Sequence, residues 1–177
     1  MNLVFDIEAN GLPRQVSRIH CIGIYDLDNH EYTSYNDNGG APITRAVTMI
    51  MEADHIVGHN IINYDLPVIK ACYPFFEPEG EAVDTLILSH VYHANLMDLD
   101  KKRKWVDMPA KLYGSHSLKA YGYRLDEHKA EIETDWKEWS QEMEDYMEQD
   151  VIVTRKLWKH FLPYLSGSKW STGSQKS

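Results

Sequence analysis

Three short segments with the composition of strands precede the first stretch of helical periodicity, and this order constrains the fold more than any other feature of the chain. They occupy residues 3–7, 19–25 and 31–35. Their composition is typical of strands, and the polar triplet at 28–30 predicts a hairpin turn between the second and the third. Short apolar runs then alternate with helical patterns. We therefore expect a mixed α/β sheet with helices on its faces.

The rest of the chain divides by periodicity into helices, one more short strand and loops. The Gly-rich residues 36–42 form a loop, and the charged residues 96–112 predict an irregular stretch. A short helix is expected to end at Gly122, since glycine commonly terminates helices. A buried strand is predicted at 55–58, and helices are predicted at 43–53, 65–72, 84–93, 117–121 and 136–162.

The length of 177 residues suits one compact domain, which we place at residues 1–165, followed by a flexible polar tail at 166–177. No apolar run approaches the roughly 18 residues that span a bilayer, and the first residues lack the basic and apolar regions of a signal peptide. The two cysteines lie inside apolar segments, which argues against a disulfide framework. We expect a cytoplasmic protein without membrane contact.

The formal net charge of −9 limits the kinds of nucleic-acid binding that the chain can support. Coating of duplex DNA without sequence preference needs a basic surface, so that function is disfavoured. An enzyme that holds one strand end through bound metal ions remains compatible, because the ions supply the positive charge.

Asp6 and Glu8 are the first candidate functional residues. Residues two apart on a strand point to the same face. The same spacing recurs at 52/54, 98/100 and 142/144, which we interpret as solvated faces of helices or loops. Asp6 differs because it interrupts an apolar strand, where a carboxylate is costly unless it is paired or binds a metal. The alternative is that Asp6 only caps the end of the strand.

The segment HNIINYD at residues 59–65 is the second candidate, because it joins the short strand at 55–58 to a helix. Ligands of open α/β sheets collect at the ends of such strands. Asp65 has an alternative role as the N-cap of the following helix.

The third candidate is the pair Tyr146 and Asp150 on the long predicted helix. At a separation of four residues they share one face, and that face is apolar, so Asp150 is expected to point inward. The neighbouring acids Glu144, Asp145 and Glu148 are expected on the solvated side.

The segments DIE (6–8), HNIINYD (59–65) and YMEQD (146–150) resemble, in order and spacing, the three motifs of the DnaQ-like DEDD exonucleases. The tyrosine of the third motif is that of the DEDDy branch. The flanking segments DTLILSHVYHANL (84–96), GSHSLKAYGYRL (114–125) and DVIVTRKL (150–157) resemble the proofreading exonuclease domain of phage family-A DNA polymerases of the podovirus type. The resemblance extends to about residue 162.

This resemblance implies an RNase H-like fold, with a five-stranded mixed sheet flanked by helices. It also implies a 3′→5′ exonuclease that releases 5′-mononucleotides from DNA. Two divalent ions, Mg²⁺ or Mn²⁺, would be bound by four carboxylates, with Tyr146 positioning the attacking water. Such ions, about 4 Å apart, stabilise the attacking and leaving oxygens of an in-line displacement. The carboxylates are Asp6, Glu8, Asp65 and Asp150.

The resemblance implies substrate contacts as well. Ala9, Asn10 and Leu12 are expected to line the terminal nucleotide, with Leu12 wedged against the base. Asn60 and Tyr64 are expected to contact the strand near the scissile phosphate.

Two further features have plain alternatives. The basic run at 101–104 either steers DNA phosphates toward the site or forms a solvated loop. His59 and His116 are interpreted as hydrogen-bonded structural histidines.

The expected partners are single-stranded DNA or a frayed 3′ end, together with a separately encoded DNA polymerase. No polymerase portion follows the third motif, which suggests either a stand-alone exonuclease, in the host cytoplasm if phage-encoded, or an excised domain. Proofreading, end-trimming and DNA degradation remain open. The alternatives are a 3′→5′ exoribonuclease and a non-catalytic nucleic-acid-binding module on the same fold.

Overall fold

The structure, a computed structural model, describes residues 1–128 and 134–167 and contains a five-stranded sheet in the order β3-β2-β1-β4-β5. Strands β1, β2 and β3 pair antiparallel, whereas β4 runs parallel to both β1 and β5. The predicted mixed sheet is confirmed. The strands are β1 (Asn2–Ala9), β2 (Ile19–Asp26), β3 (Glu31–Tyr35), β4 (His55–Gly58) and β5 (Glu81–Asp84).

Six α-helices and two short helical turns are present in the described residues. None of these helices is both long enough and apolar enough to cross a bilayer. They are α1 (Ile43–Glu52), a π-helical turn (Ile61–Asp65), α2 (Leu66–Cys72), α3 (Thr85–Tyr92), α4 (Leu96–Arg103), a 3₁₀ turn (Ala110–Leu112), α5 (Leu118–Arg124) and α6 (Gln141–Leu165).

The alternation of side chains along β1 assigns its two faces to two different cores. Leu3, Phe5 and Ile7 join the core that contains residues of α1 and α2. Val4 faces the other way and packs with Val151 of α6. Because Asp6 and Glu8 share the face of Val4, both acids lie on the side of the sheet that α6 covers.

Two elements were not predicted from the sequence pattern. Strand β5 was not identified, because its four residues include only two apolar ones, although the resemblance implied five strands. The expectation that residues 96–112 are irregular is wrong, since α4 occupies the first half of this stretch. Leu96 and Asp100 are its buried residues, so the apolar periodicity is too weak to reveal the helix.

Several helix boundaries differ from prediction, and those of α5 and α6, which ends at residue 165 instead of 162, differ most. Helix α5 does not end at Gly122 but continues to Arg124. A Cβ at Gly122 would lie 3.2 Å from Cα of His128, so this glycine permits a close approach of the chain rather than a stop. Helix α6 begins at residue 141 instead of 136, because Ser140 Oγ caps it by accepting the Met143 N–H at 3.2 Å.

Two acids expected on solvated faces are buried. Glu144 accepts hydrogen bonds from Asn36 Nδ2 at 3.0 Å and from Trp139 Nε1 at 2.9 Å. Asp100 forms an ion pair with Arg124, at 2.7 Å between Oδ2 and Nη2. Of the acids expected beside Glu144, Asp145 and Glu148 are exposed as predicted.

The proposed division at residue 165 stays a prediction, and residues 168–177 of the expected tail lie outside the described residues. Both cysteines are free thiols.

Candidate active site

The central strand β1 extends beyond its parallel neighbour β4, and the candidate site lies at this extended end of β1. Their pairing ends at Val4 and Val57, whereas β1 continues to Ala9. The part of β1 that carries Asp6 and Glu8 therefore lies beside the segment that follows β4. Ends of parallel strands are the usual ligand-binding edge of such sheets.

Helix α6 brings a third carboxylate to the two on β1. Asp6, Glu8 and Asp150 each offer an oxygen, and these oxygens all lie within 4.8 Å of one another. All three side chains are half-buried. Carboxylates this close repel each other unless a cation or protons neutralise them. Several carboxylate oxygens around one point are the donor set that Mg²⁺ and Mn²⁺ prefer.

Asp65, the fourth predicted acid, lies in the π-helical turn after β4 and is 3% exposed. Its Oδ2 has no hydrogen-bond partner within the described part of the chain. Burial, followed by the repulsion of Glu8, raises its pKa well above the usual range. Its side chain does not cap α2, so the alternative N-cap role is wrong. A buried carboxylate oxygen without a partner suits a site that binds a cation.

The turn that carries Asp65 requires two particular residues. A Cβ at Gly58 would fall 2.2 Å from Cγ2 of Ile61, so only glycine allows the chain to fold back there. Asn60 adopts a left-handed conformation with φ of 63°, which asparagine tolerates better than most residues. The segment HNIINYD therefore enters the helix through a π-helical turn rather than through an ordinary α-helical first turn.

Asp84, at the end of β5, holds this turn in place. Its Oδ1 accepts the backbone N–H of Asn60 at 2.8 Å and of Leu86 at 2.9 Å, and its Oδ2 accepts that of Ile62 at 3.0 Å. Asp84 was not predicted to be a site residue. An acid directly before a helix predicts that it caps that helix. Its bonds to Asn60 and Ile62, more than 20 positions away, cannot be predicted from the sequence.

We expect Asp84→Asn to lower the catalytic rate by about 10-fold to 100-fold, because misplacement of a catalytic group by about 1 Å costs this much. The asparagine side chain keeps one acceptor oxygen, but its NH₂ group replaces the other and faces a backbone N–H, which it cannot bond. This displaces the turn and Asp65 with it. Steady-state kinetics on an oligonucleotide would measure the reduction. Wild-type rates in this variant would show that the Asp84 bonds do not position Asp65.

His59 and His116 have structural roles in this region, as predicted. His59 Nδ1 lies 2.8 Å from Thr85 Oγ1, and its Nε2 lies 2.9 Å from the His116 carbonyl oxygen. The His116 ring in turn hydrogen-bonds Ser89 Oγ. Burial lowers the pKa of His59 to about 4, so the ring stays neutral at physiological pH.

The loop after β1 carries three of the predicted substrate contacts. The Asn10 amide closes the loop by donating to Ser17 Oγ at 2.8 Å and accepting the Ser17 N–H at 3.0 Å. Ala9 is buried, and Leu12 is 62% exposed. An exposed leucine on a braced loop near the acids is compatible with a wedge against a base. These contacts stay predictions.

Tyr64 joins this loop to the turn that carries Asp65. Its hydroxyl donates to the Gly11 carbonyl oxygen at 3.1 Å, and burial raises its pKa to about 12, so it remains protonated. The predicted strand contacts of Tyr64 and Asn60 stay predictions as well.

The side chain of Tyr146 packs against a residue that sequence analysis did not select. Trp136 lies edge-on to it, with 6.2 Å between ring centroids. The backbone of Trp136 is held by His20 Nε2, 2.8 Å from its carbonyl oxygen. The segment 134–140, most of which was predicted to be helical, instead braces the ring of Tyr146. Glu144 lies three and seven residues before the buried Met147 and Val151, so helical periodicity places it on the same buried face of α6. This spacing could have predicted the burial of Glu144, which accepts a hydrogen bond from Trp139.

A five-stranded mixed sheet with an acidic cluster between its central strand and α6 is the architecture of an RNase H-like fold. This agrees with the fold class implied by the three motifs.

The chain belongs to the RNase H superfamily, whose family model matches residues 3–162. It is 36% identical to the DNA-directed DNA polymerase of Escherichia phage T7, over 91% of this chain and 27% of the polymerase. The chain therefore spans about a quarter of the length of this relative. The predicted resemblance to phage DNA polymerases is confirmed.

Solved structures share the fold at low sequence identity. Brucella melitensis NrnC bound to pGG matches with a TM-score of 0.60 and 18% identity, over 99% of this chain and 79% of that one. The zinc-bound complex of E. coli ExoI with single-stranded DNA matches with a TM-score of 0.57 and 15% identity, over 96% of this chain and 42% of that one.

Proposed function

We propose that this chain is a metal-dependent 3′→5′ exonuclease that hydrolyses phosphodiester bonds at DNA 3′ ends and releases 5′-mononucleotides. The observation that carries the proposal is the meeting of Asp6, Glu8 and Asp150 within 4.8 Å, on a superfamily fold shared with nucleases. The choice of DNA follows from the identity with the phage T7 polymerase.

The residues present fit a pair of divalent ions. Asp6, Glu8 and Asp150 would hold one, and Asp6 with the buried Asp65 would hold the second. When bound, such ions neutralise the charge that develops on the attacking and leaving oxygens of a phosphoryl displacement.

The chain's own groups position the reactants. The hydroxyl of Tyr146, one helical turn before Asp150 on α6, orients the attacking water by a hydrogen bond. Trp136 and the braced segment 134–140 restrict the tyrosine ring. The loop of Leu12 separates the terminal base from its neighbour, so the last phosphodiester faces the acids.

Tyr146→Phe should reduce the rate on the order of 10²-fold to 10³-fold, because it removes one positioned donor and leaves every carboxylate in place. Single-turnover measurement with Mg²⁺ would report the chemical step. A loss as complete as that of an acid variant would show that Tyr146 does more than orient water, and a wild-type rate would remove it from the mechanism.

The proposal is tested by digestion of a 5′-labelled single-stranded DNA with Mg²⁺ or with EDTA. A ladder that shortens from the 3′ end only with metal supports it. A parallel ribo-oligonucleotide distinguishes an exoribonuclease. Binding of either strand without cleavage in Mg²⁺ and in Mn²⁺ would instead indicate a non-catalytic module.

A DNA polymerase, on the same polypeptide or on another, is the proposed partner, because the T7 relative is itself a DNA polymerase. Such a partner would deliver frayed 3′ ends to the site.

A further inference from the structure

Positive charge is concentrated in one segment of an acidic chain. Seven of its 18 lysines and arginines, but only one of its 27 aspartates and glutamates, lie within residues 101–124. This segment therefore carries a formal charge of +6 in a chain whose net charge is −9. The four consecutive cations at 101–104 are all exposed at the end of α4. The positive charge of the chain is therefore concentrated on the surface of this segment.

The segment is folded around one buried carboxylate. Asp100 is 2% exposed and accepts hydrogen bonds from the Trp105 indole at 2.9 Å, the Gly114 N–H at 2.8 Å and the Arg124 guanidinium. These bonds hold α4, the loop after it and α5 together. The surface cations are thus presented by an ordered scaffold.

Two cavities flank this scaffold and share the same basic and aromatic wall. One, of about 560 Å³, is lined by Lys102 and by Leu99 among others, and the second, of about 480 Å³, by Lys104. Arg103, Trp105 and Arg124 line both. The Arg103 guanidinium lies 4.3 Å above the Trp105 ring, and Arg124 Nη1 has no hydrogen-bond partner among the described residues.

The inner end of the segment contacts the residue that precedes the turn of Asp65. The carbonyl oxygen of His116 bonds to Nε2 of His59 at 2.9 Å, and His59 directly precedes the turn that carries Asp65. A single strand of nucleic acid that enters the active site over this turn can therefore continue along residues 101–124.

We propose that residues 101–124 form a second, non-catalytic contact surface for a single-stranded polynucleotide, which holds the strand upstream of the 3′ end. This inference rests on the proposed exonuclease function. A basic groove with aromatic side chains in its wall is the chemistry that binds single strands without sequence preference: the cations contact phosphates and the rings stack on bases. The surface allows an acidic protein to retain a polyanion after each cleavage.

The test measures binding rather than cleavage. Asp6→Ala protein in EDTA is titrated with a 5′-labelled 20-nucleotide oligodeoxythymidine and with a 4-nucleotide one, at several salt concentrations. Lys102→Gln with Arg103→Gln should lower the dependence of log affinity on log salt by about 1.4, at about 0.7 for each phosphate that the protein no longer neutralises. If affinities converge at 1 M salt, this amounts to about a 25-fold weaker affinity at 0.1 M.

A matched control removes the same charge elsewhere. Arg45→Gln with Lys159→Gln replaces two exposed cations outside the segment, so it lowers the net charge equally. The control should show the same dependence of affinity on salt as the protein without these substitutions. Affinity should rise from the 4-nucleotide to the 20-nucleotide strand in all proteins, and this rise should be smaller only in the Lys102/Arg103 variant. Equal slopes and equal length dependence in the two double variants would overturn the inference.

Failure of the inference and failure of the proposed function give different results. If the chain is not an exonuclease, wild-type protein releases no nucleotides in Mg²⁺, whatever the binding curves show. If only the inference is wrong, wild-type protein releases nucleotides while the two double variants bind alike.

Discussion

Asp6→Ala should abolish hydrolysis, with a rate reduction on the order of 10⁴-fold or more, the scale seen when one member of a catalytic unit is removed. Asp6 has the largest effect because it lies in the three-acid cluster and would also share the second ion with Asp65. Release of mononucleotides from a labelled strand in Mg²⁺ measures the effect.

The same variant has a second expected result that does not depend on activity. Mg²⁺ should raise the melting temperature of the wild-type protein, because a ligand that binds only the folded state stabilises it. Asp6→Ala should lose most of this rise yet remain folded in EDTA, since it relieves repulsion within the cluster.

Glu52→Ala and Asp98→Ala, which remove exposed acids of α1 and α4, serve as charge controls. Both should retain wild-type activity and the full metal response. An active Asp6→Ala protein would exclude the assignment of the metal site.

Asp100→Ala should lower the free energy of unfolding by about 3–5 kcal/mol, the usual cost of removing one partner of a buried ion pair. The side chains of Asp100 and Arg124 are 2% and 7% exposed, so the guanidinium would remain buried without its counter-charge. Urea denaturation followed by tryptophan fluorescence measures the change, and the Trp105 indole would also lose its acceptor.

A double variant separates charge from packing. Asp100→Leu with Arg124→Met leaves no stranded charge, so it should recover much of the lost stability. If the double variant is as unstable as Asp100→Ala, the hydrogen bonds to Trp105 and Gly114, rather than the ion pair, maintain this part of the fold.

The ion pair also predicts a dependence on pH. Burial raises the pKa of Asp100, but the hydrogen bonds from Arg124, Gly114 and Trp105 outweigh it and hold the pKa below the ordinary value of 3.8. A carboxyl whose native pKa is lowered stabilises the fold above its unfolded pKa. This contribution is therefore lost as the pH falls below about 3.8 toward the native value.

The acids of the site were predictable because each breaks a local pattern. Asp6 interrupts an apolar strand, and Asp150 lies on the apolar face of α6. Their meeting with Glu8 then follows from the packing of α6 over the alternate face of β1. The number of strands followed from the resemblance, since β5 alone has too few apolar residues to be recognised.

The supporting structure was not predictable, because it depends on contacts between distant residues. Asp84 looks like an ordinary helix cap, and the spacing of Glu144 indicates only that it is buried. Neither pattern shows that Asp84 holds the turn of Asp65 or that Glu144 anchors Trp139. Helix α4 was missed because Leu96 and Asp100 are its only buried residues, so it shows little apolar periodicity. Local periodicity records which face a residue occupies, but not which distant group it bonds.

The π-helical turn at Ile61–Asp65 makes the site sensitive to the number of residues rather than only to their identity. A π turn holds one more residue than an α turn of the same length. Loss of one residue there would close the π turn to an α turn of 3.6 residues, which redistributes residues 61–64 around the helix axis while α2 keeps its place in the core. The bonds from Ile62 to Asp84 and from Tyr64 to Gly11 would then be disturbed although every acid is still present. We therefore expect the number of residues between Gly58 and Asp65 to be constant within this family.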